Sequence, residues 1–319
     1  MREFLRAVSP SGHMFFPDPN VRWLGDLVKP WDGDTRMRIA VLGVPFDAAT
    51  VSDRRGSRHA PQRIREYLYS KTRYSVEHDS ELTDGVFDCG DLEVNIADFD
   101  ETMRRLRLVA ASVFAKAGYV LTLGGDHSLT YELVKAARAQ AKHEIGLVQF
   151  DAHHDTREEW GQHSGFWLRR LIDDGVVRGE NVLQIGIRGS LYSKYYIEHL
   201  KDHGVHYLTA WKMREIGVRA ASKLAVSRLK RLGGVYLTFD IDAVDQTDAP
   251  GTDHPSPMGL TSWEAIFMVY DLASRLNARW MDIMEVSPPH DIQDHTVKLA
   301  AELAAQYMHA CSKAGASGR

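Results

Sequence analysis

From residue 38 onward, short apolar runs alternate with stretches whose apolar residues recur at helical spacing. The apolar runs predict β-strands covered on both faces, at residues 39–44, 119–123, 145–150, 182–187, 205–208, 235–239 and 280–285. The intervening stretches predict helices. One begins at Pro61, and the others span residues 100–116, 129–141, 166–174, 194–203, 220–232, 262–276 and 294–311. Repeated strand–helix units predict an α/β fold of three layers, with a mostly parallel sheet between helices on both faces.

The N-terminal segment has a different pattern. Its prolines alternate with large aromatic residues: Pro10, Phe15, Phe16, Pro17, Pro19, Trp23, Pro30 and Trp31. Such a segment cannot form a core of its own, although its aromatic side chains require burial. We therefore predict an N-terminal arm, residues 1–35, that lies over the domain or a neighbouring subunit. Residues 36–319 are expected to form a single α/β domain, because no proline-glycine linker or internal repeat divides them.

Three of the predicted strands are followed by a short polar segment rich in acidic or histidine residues. These segments are residues 124–128 (Gly-Gly-Asp-His-Ser), 151–155 (Asp-Ala-His-His-Asp) and 240–242 (Asp-Ile-Asp). Open α/β sheets place their ligand sites where strands end. Two like charges 4 Å apart repel by about 4 kcal/mol at an effective dielectric of about 20. A cluster of this many carboxylates at one edge of the sheet therefore indicates bound divalent cations.

The candidate metal ligands are two histidines and four aspartates: His127, Asp151, His153, Asp155, Asp240 and Asp242. In an extended segment alternate side chains point the same way, so Asp151, His153 and Asp155 can converge while His154 points away. The set offers imidazole and carboxylate donors without a thiolate, which suits manganese, nickel or iron. A bound cation would lower the pKa of a water from about 15.7 toward about 7 and so provide a nucleophile at neutral pH.

Composition narrows the class of protein. The 319-residue chain has a net charge of −4 and a pI near 6.4, which give no reason to expect nucleic acid or a membrane as a partner. Cys89 and Cys311 are its only cysteines, too few for a disulfide framework. The sequence shows no signal peptide and no apolar run of membrane-spanning length. We expect a cytoplasmic enzyme.

Beyond the arm, the chain resembles the ureohydrolase family of arginases and agmatinases. The resemblance rests on the three polar segments together with residues 41–47 (VLGVPFD), 56–61 (GSRHAP), 88–91 (DCGD), Asp245, residues 249–252 (APGT) and 284–289 (MEVSPP). The combination is more similar to agmatinases than to arginases proper. It implies an arginase-like fold and the hydrolysis of a guanidino compound to urea and an amine.

The resemblance also implies how the ligand candidates are shared between two metal ions. One ion would be bound by His127, Asp151, Asp155 and Asp240. The other would be bound by Asp151, His153, Asp240 and Asp242, so that Asp151 and Asp240 bridge the pair. Two divalent ions per subunit are therefore expected, with Mn²⁺ as the family default and Ni²⁺ as an alternative on the same donors.

Two further residues match family positions with a catalytic role. Glu285 matches the glutamate that grips the guanidinium through paired hydrogen bonds, and His163 matches the histidine that passes a proton to the departing amine. Asp126 is expected to orient a ligand or to cap the helix that follows it. The resemblance implies a homo-oligomer, a trimer or a hexamer, and leaves open a hetero-oligomer with a paralogous subunit.

Two loops depart from the agmatinase pattern. Ser-Gly-Phe-Trp at residues 164–167 replaces the usual small residues, and residues 253–259 (DHPSPMG) replace a Gly-Thr-Pro run with paired glycines. Both loops are expected to border the tail of the substrate in this fold. The chemistry therefore looks intact, while the specificity looks altered.

The first of these loops gives conflicting indications about the substrate. Trp160 and Trp167 could form an aromatic wall for an alkylated or cationic group, or they could simply anchor the loop. Arg157 would suit a substrate carboxylate. Glu158 and Glu159 would instead suit a cationic tail such as that of agmatine.

Three hypotheses about function follow. The favoured one is an agmatinase-like amidinohydrolase, whose substrate could also be guanidine, a guanidino acid or, with nickel, an alkylated biguanide; proclavaminate-type and formiminoglutamate-type substrates are less favoured. The second is a catalytically silent subunit that stabilises an active partner, and the retained Glu285 and His163 argue against it. The third is a one-zinc deacetylase, and the two histidine-bearing segments with Asp155 argue against that.

Overall fold

The computed structural model describes residues 1–8, 18–83, 85–158 and 163–316. The strands of this part of the chain are β1 (Leu5–Arg6), β2 (Val28–Pro30), β3 (Met37–Gly43), β4 (Tyr74–Ser75), β5 (Ser80–Glu81), β6 (Val86–Leu92), β7 (Ala117–Leu123), β8 (Gly146–Phe150), β9 (Val182–Ile187), β10 (His206–Thr209), β11 (Val235–Asp240) and β12 (Ala278–Met284). The main sheet has the order β1-β6-β3-β7-β12-β11-β8-β9-β10, and β2 also pairs with β6. Within it the pairs are parallel except β1–β6, which confirms the predicted mostly parallel sheet.

Helices cover both faces of the sheet. They are α1 (Ala60–Tyr69), α2 (Phe99–Lys116), α3 (Thr130–Gln140), α4 (Trp167–Asp173), α5 (Lys194–Asp202), α6 (Ala210–Ile216), α7 (Val218–Leu229), α8 (Ser262–Arg275) and α9 (His295–Ala316). The apolar sides of α1 and α6–α9 belong to one buried cluster, and those of α2–α5 belong to a second cluster across the sheet. The three-layer α/β fold is thus confirmed. No helix within the described ranges is long and apolar enough to cross a membrane.

Four adjacent strands at the centre of the sheet carry the three polar segments and Glu285. β7, β12, β11 and β8 are neighbours in that order and run parallel. Their register aligns their ends: Phe239 is paired with both Ile283 and Phe150, and Ile283 is paired with Leu123. The residues that follow these positions therefore emerge at one level along a single edge of the sheet.

β6 is a strand that the apolar pattern did not predict, because its second half is polar. Arg65 on α1 pairs with the acidic side chains of this half. Its Nε and Nη2 donate to the two carboxylate oxygens of Asp88 at 2.8 and 3.0 Å, and its Nη1 donates to Asp91 at 2.6 Å. The Tyr69 hydroxyl also donates to Asp88. A buried, fully paired network of this kind allows a polar sequence to lie inside the sheet.

The N-terminal segment contributes to the edge of the sheet. Val28–Pro30 pairs in parallel with the start of β6, and Leu5–Arg6 pairs with its end. Trp31 is buried, and its indole N–H donates to the carbonyl of Thr35 at 3.0 Å. Phe15 and Phe16 lie outside the described residues, and the boundary at residue 35 stays a prediction.

Candidate active site

A close-packed turn delivers His127 to the edge of the sheet after β7. A side chain on Gly124 would meet the sulfur of Met284 at 1.9 Å, and one on Gly125 would meet the carbonyl oxygen of Phe46 at 1.7 Å. The main chain of Phe46 thus excludes a side chain at residue 125, and at residue 124 the Met284 side chain would have to move. Asp126 then caps the following turn by accepting from the Ser128 N–H at 3.1 Å, as expected for a capping residue.

The first group of candidate ligands surrounds the His127 ring. Its Nδ1 lies 3.1 Å from Oδ2 of Asp240, 3.3 Å from Oδ2 of Asp151 and 3.4 Å from Oδ2 of Asp155. All four side chains are buried. The other ring nitrogen, Nε2, lies 2.8 Å from the hydroxyl of Thr238. A donor role for Nε2 leaves the lone pair of Nδ1 directed at the carboxylates, which is the arrangement typical of metal-binding histidines.

The second group shares Asp151 with the first. Nδ1 of His153 lies 3.0 Å from Oδ2 of Asp242 and 3.5 Å from Oδ1 of Asp151. Asp151 therefore turns one oxygen toward His127 and the other toward His153. Ligand atoms of His127, Asp151 and Asp240 lie within 4.8 Å of one another, and so do those of Asp151, His153 and Asp242.

Main-chain amides hold these carboxylates in place. The N–H of Ala152 donates to Asp242 at 3.0 Å, and the N–H of Asp242 donates in turn to Asp240 at 2.8 Å. Asp151 accepts from the N–H of His153 at 2.6 Å and from the side-chain amide of Gln149 at 2.7 Å. The oxygens are thus oriented before any ligand binds.

The electrostatics of the two groups favour cations. Burial, followed by the charges of Asp242 and Asp151, raises the pKa of Asp240 well above its usual range. Burial opposes protonation of His127, but hydrogen bonds and charge from Asp151 and Asp240 hold its pKa well above the usual range. Imidazole and carboxylate donors, preorganised and facing one another in pairs, fit two divalent ions.

Asp155 is held in an unusual conformation. Its φ is +50°, in the left-handed region that few non-glycine residues adopt. Its Oδ2 accepts a hydrogen bond from the indole N–H of Trp167 at 2.6 Å. The Trp167 ring is buried and packs against His127, with ring centroids 4.8 Å apart. Trp167 thus lies behind the ligand groups, a position different from the aromatic wall considered from the sequence.

Glu285 follows β12 and reaches the same place from the neighbouring strand. Its φ is +61°, a strained conformation for a residue with a long side chain. Its Oε1 accepts from the main-chain N–H of His127 at 2.8 Å. Its Oε2 is buried and has no hydrogen-bond partner among the described residues. Within the described part of the chain, Glu285 therefore has one acceptor oxygen left without a partner, in the cavity that the ligand groups line.

A cavity of about 470 Å³ opens onto both ligand groups. It is lined by members of these groups and by Glu285, His163, Arg157 and Glu158. His163 lies in the loop before α4, where its Nδ1 accepts from the N–H of Gly165 at 3.1 Å. Arg157 is exposed at the cavity, and its guanidinium stacks over the ring of Tyr192 at 5.3 Å. Trp160 and Glu159 lie outside the described residues.

The structure adds residues that the sequence did not single out. Asp253 and His254, from one of the two unusual loops, line the cavity. Arg188 is buried and donates to main-chain carbonyls of residue 186, residues 242–244 and residues 256–257, at 2.7–3.4 Å. Asp253 could have been found from its departure from the family pattern. The role of Arg188 depends on contacts between distant segments, which local patterns do not reveal. His154 points away from the cavity and contacts Gln184, as its position in the alternation predicts.

Comparison with known proteins agrees with the family resemblance seen in the sequence. The Arginase family profile matches residues 37–310. A formimidoylglutamase of Bacillus subtilis is 32% identical over 306 residues, covering 94% of both chains. An agmatinase of Escherichia coli is 36% identical over 291 residues, covering 88% of this chain and 89% of the relative. The crystal structure of the B. subtilis formimidoylglutamase has a TM-score of 0.88 and 30% identity, over 97% of this chain and 96% of that one.

The chain therefore belongs to the arginase family. It is an amidinohydrolase, an enzyme that acts on the C–N bonds of linear amidines, as the sequence predicted. The narrower prediction of an agmatinase-like member stays a prediction, because formimidoylglutamases and agmatinases are similar to this chain to about the same degree.

Proposed function

We propose that this protein is a binuclear metal-dependent hydrolase that cleaves a guanidino compound to urea and an amine. The observation that carries the proposal is that Asp151 directs one carboxylate oxygen to each of two ligand groups, in a cavity shared with Glu285, whose Oε2 has no hydrogen-bond partner among the described residues. Mn²⁺ or Ni²⁺ suits these donors. Asp240 is proposed as the second bridge.

The residues that line the cavity would have separate roles in the reaction. Cations bound by the two groups would acidify a water and polarise it for attack. Glu285 would accept hydrogen bonds from the amidino nitrogens and fix the carbon over the ligand groups, since a buried carboxylate matches that planar cation. His163 would donate a proton to the leaving nitrogen. In the balanced reaction the C–N bond to the substituent breaks, water supplies the oxygen of urea, and the amine leaves protonated.

Substrate hydrolysis by the metal-loaded protein tests this proposal. Metal-free protein is loaded with Mn²⁺ or with Ni²⁺ and incubated with agmatine, a guanidino acid, guanidine, an alkylated biguanide and a formimidoyl amino acid. Urea and released amine are both measured. We expect turnover of at least one guanidino compound. Turnover of no guanidino compound with either metal would overturn the proposal, and turnover of none of the five compounds would favour a silent partner subunit.

Two variants test the assigned roles. Glu285→Gln should lower kcat/KM about 100-fold, because it removes the charge that faces the amidino group. His163→Asn should lower kcat by about 100-fold or more with little change in KM, as expected for loss of an acid–base group. His143→Gln, an exposed position far from the cavity, serves as the control. Unchanged kinetics in either test variant would contradict its assigned role.

The assembly can be tested separately. A trimer or hexamer, with the N-terminal arm at a subunit contact, is proposed from the family resemblance. The mass of the full chain in solution should correspond to three or six copies. Deletion of residues 1–30 should reduce the number of copies in the assembly. A full chain that is monomeric, or a truncated chain that keeps the same assembly, would contradict this proposal.

A further inference from the structure

A second buried carboxylate lies next to Glu285. Thr252 and Val286 form an antiparallel bridge, and the N–H of Ser287 donates to the carbonyl of Gly251 at 2.7 Å. This register places Asp253 beside Glu285 on the neighbouring segment. Residues opposite one another in an antiparallel pair have Cβ atoms about 5 Å apart and share a face. Both side chains line the cavity, and both are at most 5% exposed.

Each of these carboxylates, both of which line the cavity, has one oxygen in a close contact within the protein and a second oxygen that is weakly paired or has no partner among the described residues. Oε1 of Glu285 accepts from the His127 N–H, and Oδ2 of Asp253 lies 2.7 Å from Nδ1 of His254. Oε2 of Glu285 has no hydrogen-bond partner in the described part of the chain. Oδ1 of Asp253 contacts the hydroxyl of Thr252 at 3.4 Å, which is long for a hydrogen bond. Two acceptors are thus available side by side.

The position of Asp253 is fixed by its loop. The hydroxyl of Ser52 donates to the Asp253 carbonyl at 2.9 Å. The guanidinium of Arg54 donates to the carbonyls of Thr252 and Pro250 at 3.0 and 2.9 Å. His254 packs edge-on against His153, with ring centroids 5.5 Å apart. The carboxylate is therefore preorganised rather than free to turn into solvent.

Two such charges repel unless a cation lies between them. At about 5 Å and an effective dielectric of about 20, like charges repel by about 3 kcal/mol. A planar cation that donates to both carboxylates would convert this repulsion into attraction.

We propose that Asp253 is a specificity-determining residue which, together with Glu285, selects substrates that end in a full guanidinium group over substrates that end in a formimidoyl group. A monosubstituted guanidinium has N–H groups along two of its edges, so each carboxylate receives a donor. A formimidoyl group has a C–H in place of its third nitrogen. It would leave one buried carboxylate without a donor, which strongly disfavours the wrong ligand. This inference rests on the proposed amidinohydrolase function and names its substrate class.

The test compares the wild type with Asp253→Asn, which keeps the shape of the side chain and removes its charge. Both proteins are loaded with Mn²⁺, and kcat/KM is measured for a guanidino compound and for a formimidoyl amino acid. Binding of guanidinium chloride is measured by calorimetry. We expect the wild type to favour the guanidino compound. In Asp253→Asn, kcat/KM for that compound should fall about 10- to 100-fold, mainly through KM, and guanidinium should bind more weakly by a similar factor.

The control variant is Glu198→Gln, an exposed carboxylate on α5 whose ion-pair partner is Lys194. It should match the wild type in every assay. A wild type that prefers the formimidoyl compound would overturn the inference, even if Asp253→Asn fails to fold. Equal guanidinium affinity in the wild type and Asp253→Asn would also overturn it. In both cases turnover of a guanidino compound would leave the proposed hydrolase function intact. Absence of turnover of every guanidino compound would overturn that function, and the guanidinium affinities would still test the role of Asp253.

Discussion

The indole N–H of Trp167 donates a 2.6 Å hydrogen bond to the carboxylate of Asp155, and the same ring packs against His127. One aromatic residue thus contacts two members of the first ligand group without itself lining the cavity. Because Asp155 also has a left-handed main-chain conformation, this bond helps to hold its carboxylate toward His127. We therefore expect Trp167 to position Asp155 in the candidate metal centre.

Trp167→Phe should weaken binding of Mn²⁺ to the first ligand group. The variant keeps the aromatic packing and removes the hydrogen bond that orients Asp155, and losses of this kind cost about 10- to 100-fold in metal affinity. Calorimetric titration of Mn²⁺ into metal-free protein measures the effect. Trp211→Phe is a matched control, since its exposed indole donates to Glu215 on the surface at 2.9 Å. Equal affinities in both variants would show that the Trp167 bond does not position the ligand.

Arg65→Ala should destabilise the fold. The substitution leaves the buried carboxylate of Asp88 and its neighbour Asp91 without their cation, and removing one partner of a buried ion pair costs about 3–5 kcal/mol. The free energy of unfolding in urea measures this loss. Arg104→Ala removes an exposed pair with Glu101 and should change the same quantity by less than about 1 kcal/mol. A similar small change in Arg65→Ala would refute the structural role of the network.

His309 should make the protein sensitive to acid. Burial is the largest effect and the charge of His78 is the second, and together they lower the pKa of His309 to about 4. An unfolded histidine titrates at about 6.5, so the unfolded chain binds the extra proton between these values. Stability is then fully present above about pH 6.5 and is lost as the pH falls toward 4. Between pH 7 and pH 5 this histidine should account for about 2 kcal/mol of lost stability.

His309→Gln provides the corresponding measurement. Its free energy of unfolding should fall less between pH 7 and pH 5 than that of the wild type, by about 2 kcal/mol. His143→Gln, at an exposed position, should follow the wild type. If His309→Gln shows the same acid sensitivity as the wild type, His309 is not its source.

The central strands could be predicted because parallel strands covered on both faces are continuously apolar. The run at residues 182–187 coincides with β9 (Val182–Ile187), and the predicted helix at residues 194–203 differs from α5 by one residue. β6 could not be predicted in this way. Its polar residues are compatible with burial only because Arg65, more than twenty positions earlier in the chain, pairs with them.

Local sequence patterns predicted the composition of the candidate site, whereas its arrangement was implied only by the family resemblance. The polar segments were expected to meet because each follows a strand of a parallel sheet, and the structure brings their side chains together. The position of β12 between β7 and β11, which places Glu285 beside His127, depends on strand order. The positions of Trp167 and Asp253 depend on contacts between loops. Neither kind of information is present in local sequence patterns.

The number of divalent ions bound per chain tests the central claim most directly. Mn²⁺ is titrated into metal-free protein by calorimetry, and the bound metal is then counted by elemental analysis. The shared position of Asp151 between two ligand groups predicts two ions per chain, and Asp240→Asn, which neutralises the second proposed bridge, should lose at least one of them. One ion or none in the wild type, or full occupancy in Asp240→Asn, would contradict the account.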